Sequence, residues 1–184
     1  MRKIIILTGP IGCGKGTVAR ILKKHGYYVI TMGNFVREEA EKRGIKGTRE
    51  NLGKINLELT KKYGIDYFIQ KAIKKIEENR WKKVVVDGIR RPVGVDLFRE
   101  KFDDSVRVIL IDAKPRIRFE RMKKRRRVGF PRTYEIFKEQ ERREYEIFNL
   151  SETFKKADVR ITNNGTKEEL EEKVEKLIKK WGWD

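Results

Sequence analysis

The stretch Gly9-Pro10-Ile11-Gly12-Cys13-Gly14-Lys15-Gly16-Thr17 directly follows the apolar run Ile4-Ile5-Ile6-Leu7. No other feature limits the possible folds as strongly. A buried strand, a glycine-rich loop and an amphipathic segment carrying Val18, Ile21 and Leu22 read as one strand–loop–helix unit. Glycine lets the backbone turn several N–H groups toward a single centre. A helix starting near Lys15 adds the positive end of its dipole and its unpaired N–H groups. Such a loop cradles phosphate, with Gly9, Gly12, Cys13, Gly14, Lys15, Gly16 and Thr17 as its parts. Lys15 brings a point charge to the outer phosphates, and Thr17 offers a hydroxyl to Mg²⁺. A glycine turn without chemistry leaves the strand before it and the helix after it unexplained.

Along the rest of the chain, strand-like runs near residues 2–8, 27–30, 83–87, 106–112 and 157–161 alternate with helical stretches. The pattern predicts an α/β fold with a five-stranded parallel sheet. Helices are expected near 15–25, 33–43, 49–62, 66–79, 93–101, 114–127 and 133–148. A final helix is capped by Thr166 and Glu169, with Leu170, Val174 and Leu177 facing the core. Residues 31–80 hold three helices where simple alternation needs one, which reads as an inserted lobe. At Arg126-Arg127-Val128-Gly129-Phe130-Pro131-Arg132-Thr133, glycine and proline interrupt a cationic stretch, as in a short lid.

The length of 184 residues suits one domain. No run of about 18 apolar residues is present, and the first apolar run is too short for a signal peptide, so a cytoplasmic location without membrane association is expected. The lone Cys13 excludes an internal disulfide; its position suggests a small-residue role, although a helix N-terminus can make a thiol oxidisable. Lys and Arg number 46 against 28 Asp and Glu, a formal charge of +18. Anionic ligands follow. RNA is one candidate partner; a kinase handling two phosphorylated substrates, in the Lys-, Glu- and Arg-rich composition of heat-adapted proteins, is the other. Interleaved glutamates favour the second.

Val84-Val85-Val86-Asp87-Gly88 reads as a buried strand ending in a carboxylate. Ligands of open parallel sheets sit at strand carboxyl ends, so Asp87 is expected beside the phosphate loop, sharing Mg²⁺ with Thr17. Residues 114–132 carry ten Lys or Arg and one acid, Glu120. Arg118, Arg121 and Arg125 share a face by their spacing.

These motifs resemble the nucleoside monophosphate kinases, adenylate kinase above all, whose loop also reads Gly-Lys-Gly-Thr. Met32-Gly33-Asn34, Arg37-Glu38-Glu39-Ala40, Asn51-Leu52-Gly53-Lys54 and Asp87-Gly88-Ile89-Arg90 are similar to an archaeal adenylate-kinase-related, dephospho-coenzyme A kinase-like family of unsettled role. The resemblance implies a three-layer P-loop NTPase fold in a single kinase domain. Its core would be 1–30, 81–125 and 149–184, its acceptor-binding insertion 31–80 and its lid region 126–148. It implies ATP as phosphoryl donor with Mg²⁺, and AMP or another nucleoside monophosphate as acceptor. Gly33 and Arg37 match the acceptor clamp, with Arg91 by spacing and Arg90 by related sequences. Arg121, Arg125 and Arg143 match arginines that close over the donor, and Asn164 lies in the adenine-side loop. Dephospho-coenzyme A kinases place a basic aspartate where this chain has Asn34. An amide cannot take a proton at neutral pH, which tilts the acceptor toward an already ionised monophosphate. A hydroxyl acceptor served by Asp87 stays open, as does an RNA-binding or RNA-modifying role.

Overall fold

The structure is a computed structural model that describes residues 2–125 and 130–184. Its strands are β1 (Lys3–Thr8), β2 (Tyr28–Thr31), β3 (Lys83–Asp87), β4 (Val106–Asp112) and β5 (Val159–Thr162). All pairings are parallel, in the order β2-β3-β1-β4-β5. The helices are α1 (Lys15–Lys24), α2 (Met32–Lys42), α3 (Arg49–Tyr63), α4 (Tyr67–Glu78), α5 (Pro92–Phe102), α6 (Pro115–Arg125), α7 (Tyr134–Phe148), α8 (Leu150–Lys155) and α9 (Lys167–Lys180).

Side chains of a strand alternate between faces, and this sheet uses both. Ile4, Ile6, Val84, Val86 and Val108 bury against α4 and α5 on one side, whereas Ile5, Leu7, Val85, Ile109 and Ile111 bury against α1 and α9 on the other. Continuous apolar runs in β1, β3 and β4 follow from being covered twice.

Three helices do lie between β2 and β3, and α2 follows β2 without a loop. Helix α8 is absent from the sequence reading; its six residues are too few to show a period. In α9 the buried positions are Leu170, Val174 and Ile178, because four-residue steps keep to the core side, and Leu177 is only partly buried. Thr166 caps this helix by accepting the Glu169 N–H at 3.2 Å. Of the expected lid, Arg126, Arg127, Val128 and Gly129 lie outside the described residues, and 134–148 form α7.

Candidate functional site

The turn after β1 depends on three positive backbone angles, φ 144° at Gly9, 78° at Gly12 and 110° at Gly14. Each glycine also meets a close neighbour. A Cβ on Gly9 would stand 2.1 Å from the Ile111 carbonyl, on Gly12 2.8 Å from the Arg118 carbonyl, and on Gly14 2.4 Å from Asn163 Nδ2. Buried Asn163 donates that amide to the Cys13 carbonyl at 2.8 Å, so the loop is fastened to the segment after β5. Buried Cys13 contributes packing, with Sγ 3.6 Å from Lys15 Nζ. Half-buried Lys15 reaches back over the loop, donating to the carbonyls of Gly9 (2.6 Å) and Pro10 (3.0 Å).

Thr17 lies in the first turn of α1, where its hydroxyl accepts from Arg20 at 3.2 Å. Gly16, ahead of it, faces the end of β3: a Cβ there would be 3.9 Å from Asp87 Oδ2. Register explains the meeting, since Asp87 pairs with Leu7 at the exit of β1. One carboxylate and one hydroxyl beside a phosphate loop fit Mg²⁺, which keeps several waters and takes one or two protein ligands plus substrate phosphates.

Arg37 and Gly33 meet in the opening turn of α2. The Arg37 guanidinium folds back to within 3.1 Å of where a Gly33 Cβ would sit and donates to Asn34 Oδ1 at 2.8 Å. Glycine makes the room, and Asn34 orients the fork. Beyond β3, Arg90 and Arg91 both lie against the Phe148 ring, at 5.0 and 5.1 Å. Arg90 is also 3.4 Å from Glu144, and burial lowers the pKa of Arg91. The β2-β3-β1 order sets the exits carrying Arg37, Arg90 with Arg91, and Lys15 side by side along one edge of the sheet.

The arginines of α6 and α7 divide into different jobs. Arg121 donates to the carbonyls of Asn163 (2.8 Å) and Gly165 (3.3 Å). Burial, then the nearby Arg125 charge, lowers its pKa. Asn164 accepts the Lys114 N–H at 2.8 Å. Exposed Arg143 pairs with Glu139 on its own helix at 2.8 Å; among the described residues its hydrogen bonds and ion pairs do not reach the phosphate loop. Together with Arg142, it holds the Glu139 carboxyl down to about 2.

Arg118 does not join Arg121 and Arg125 at an open face. It is 3% exposed and braces the loop, donating to Ile11 (3.0 Å) and Ala113 (2.8 Å) while pairing with Glu141 of α7. Sequence reasoning missed both it and Asn163 as supports, because their partners in the loop, Ile11 and Cys13, lie 107 and 150 residues away in the chain. Removing one member of a buried ion pair leaves the other charge uncompensated. Glu141→Ala is expected to destabilise the protein by about 3–5 kcal/mol, measured by denaturant unfolding, and the apolar pair Arg118→Met/Glu141→Leu to recover only part of that loss, because the Ile11 and Ala113 carbonyls lose their donor.

Comparison with known proteins follows the geometry. Residues 8–136 match the family described as AAA domain. The UPF0200 protein of Pyrococcus abyssi is 38% identical over 181 residues, covering 96% of each chain. The UPF0200/UPF0201 protein of Archaeoglobus fulgidus is 39% identical over 180 residues. That match takes in 97% of this chain and 55% of the relative, so the chain spans about half of that protein's length. Among solved structures, shikimate kinase from Bacteroides thetaiotaomicron superposes with a TM-score of 0.66 at 14% identity, covering 98% of both chains. At that identity the likeness concerns the fold. The parallel sheet and its nine described helices thus match the fold of that shikimate kinase, and the chain carries the AAA domain and belongs to the UPF0200 family.

Proposed function

We propose that this protein transfers the γ-phosphoryl group of ATP to a nucleoside monophosphate or a similar nucleotide-like acceptor. The carrying observation is the row of charges along adjacent strand exits: Lys15 after β1, Asp87 with Arg90 and Arg91 at β3, and Arg37 after β2. Phosphoryl transfer depends on positioning and charge neutralisation more than on covalent chemistry. The loop amides and Lys15 hold the donor phosphates, and Arg121 and Arg125 flank the nucleotide from α6. Thr17 and Asp87 would hold Mg²⁺, which when bound neutralises charge shared between the outer phosphates. Arg37, steadied by Asn34, and Arg90 with Arg91 grip the acceptor phosphate as planar donors. Asn34 is already committed to Arg37 and has no proton-accepting role, in keeping with an acceptor that arrives ionised. Movement of α7 toward the donor, with Arg143 brought over it, would exclude water from the reaction.

The test is a transfer assay with γ-labelled ATP and Mg²⁺ against nucleoside monophosphates, dephospho-coenzyme A and small hydroxyl acceptors. Label is expected on a monophosphate. Arg37→Ala is expected to raise the acceptor KM by about 10- to 100-fold, the worth of one or two charge-assisted hydrogen bonds, without raising the KM for ATP. Label appearing only on a hydroxyl compound would overturn the monophosphate reading.

A further inference from the structure

On several helices exposed cations are paired with acids of the same helix. Lys54 bonds Glu50, Lys74 lies by Glu78, Lys176 bonds Glu172, and Arg142 holds both Glu139 and Glu146, each partner one turn away on the same helix. Helix α6 breaks this habit. Lys114, Arg116, Lys123 and Lys124 are exposed, and among the described residues none forms an ion pair; the field of Glu135 reaches Arg116 only at a distance. Unpaired like charges on one helix repel each other and oppose its formation. The donor nucleotide does not account for them all. At 100° per residue, Arg116 and Lys123 share a face roughly opposite Arg121 and Arg125.

Two further features adjoin this face. The Arg116 guanidinium lies 3.8 Å from the centroid of the Tyr134 ring, and Lys138 Nζ lies 5.4 Å from the same ring. Lys138 also lines an open groove of about 650 Å³ between the start of α6, α7 and the end of β5, where Lys114 is a second exposed cation and Arg142 is held by Glu139 and Glu146. The two acids in that groove, Asp112 and Glu141, are answered by Arg160 and Arg118. A concave, cationic channel beside a guanidinium–tyrosine stack suits a flexible polyanion that carries flat rings better than a lipid bilayer, which needs an apolar face to enter.

We propose that the outer face of α6, with Tyr134 and the adjoining groove, binds single-stranded RNA. Phosphodiesters follow Arg116, Lys123 and the groove lysines, and one base stacks on the outer side of the Arg116 guanidinium. The groove's Tyr145 hydroxyl and Asn164 amide offer partners for a 2′-hydroxyl, which both donates and accepts. This proposal does not depend on the phosphotransfer reading.

Fluorescence polarisation of a labelled oligouridylate, titrated without ATP over a series of KCl concentrations, tests it. Wild-type affinity is expected to fall steeply with salt. In Arg116→Ala/Lys123→Ala the slope of log K against log salt becomes shallower by about 1.4, two phosphates at about 0.7 each. Its affinity at low salt falls about tenfold or more. Both positions are exposed, so an unchanged melting temperature verifies that the fold persists. Arg116→Lys retains charge without the plane and is expected to lose the preference for single-stranded over duplex RNA. Lys15→Ala binds the oligonucleotide as wild type does, which separates failure here from failure of the kinase reading. An unchanged salt slope in the double variant, or equal affinity for oligouridylate, duplex RNA and anionic phospholipid vesicles, would overturn the proposal.

Discussion

Replacing Lys15 with alanine is expected to lower phosphoryl transfer by about 10³-fold or more and to leave the fold in place. The two halves of that expectation have different causes. Lys15 is the cation mounted on the phosphate loop itself, and in a reaction driven by charge neutralisation its loss has no nearby substitute. The loop's shape, by contrast, rests on Asn163 gripping the Cys13 carbonyl and Arg118 gripping the Ile11 carbonyl. Neither contact involves Lys15. Single-turnover transfer measured beside a thermal melt separates the two: near-normal transfer by Lys15→Ala would sink the phosphotransferase assignment, and a collapsed melt would sink the account of what holds the loop.

Gly9→Ala is expected to damage stability and nucleotide binding together. At φ 144° an L-residue is strained, and its Cβ would fall 2.1 Å from the Ile111 carbonyl of β4. That neighbour is backbone inside a parallel sheet and cannot turn aside as a flexible side chain would. The combined strain and displacement amount to about 3–5 kcal/mol, or a fall of roughly 10 °C in melting temperature for a chain of this size. Loop amides moved away from β4 no longer converge, so ATP affinity measured by calorimetry falls as well. Gly44→Ala is the control: its φ is also positive, 64°, but a Cβ there meets nothing within 4 Å. The control gives the cost of a left-handed φ without a clash, about 1–2 kcal/mol. An equal loss in both variants would overturn the expectation that the Ile111 contact and the φ of 144° add to the cost of a left-handed residue.

The architecture was legible because its signals are local. The runs Ile4–Leu7, Val84–Val86 and Val108–Ile111 announce strands covered on both faces, and the glycines between β1 and α1 announce a backbone turned toward an anion. Asp87 was placed beside the loop by a general rule of parallel sheets, and the 3.9 Å approach to Gly16 agrees with it. Helix α8 stayed hidden because six residues cannot display a period. The arginines of α6 were visible as a cluster, but their separate duties were not. Charge and spacing are identical for a side chain that faces solvent and one that is buried against another helix.

By itself, then, the sequence determined the strand–loop–helix unit, the alternation that demands a parallel sheet, and the glycine positions at which the loop backbone can turn. Each follows from residues within a few positions of one another. Only the tertiary structure decided that Arg118 braces the loop while Arg116 looks outward, that Asn163 rather than Asn164 holds Cys13, and that Asn34 serves Arg37. Those assignments depend on which groups meet after the sheet has brought distant strand ends together, and burial and hydrogen-bond geometry exist only once that has happened.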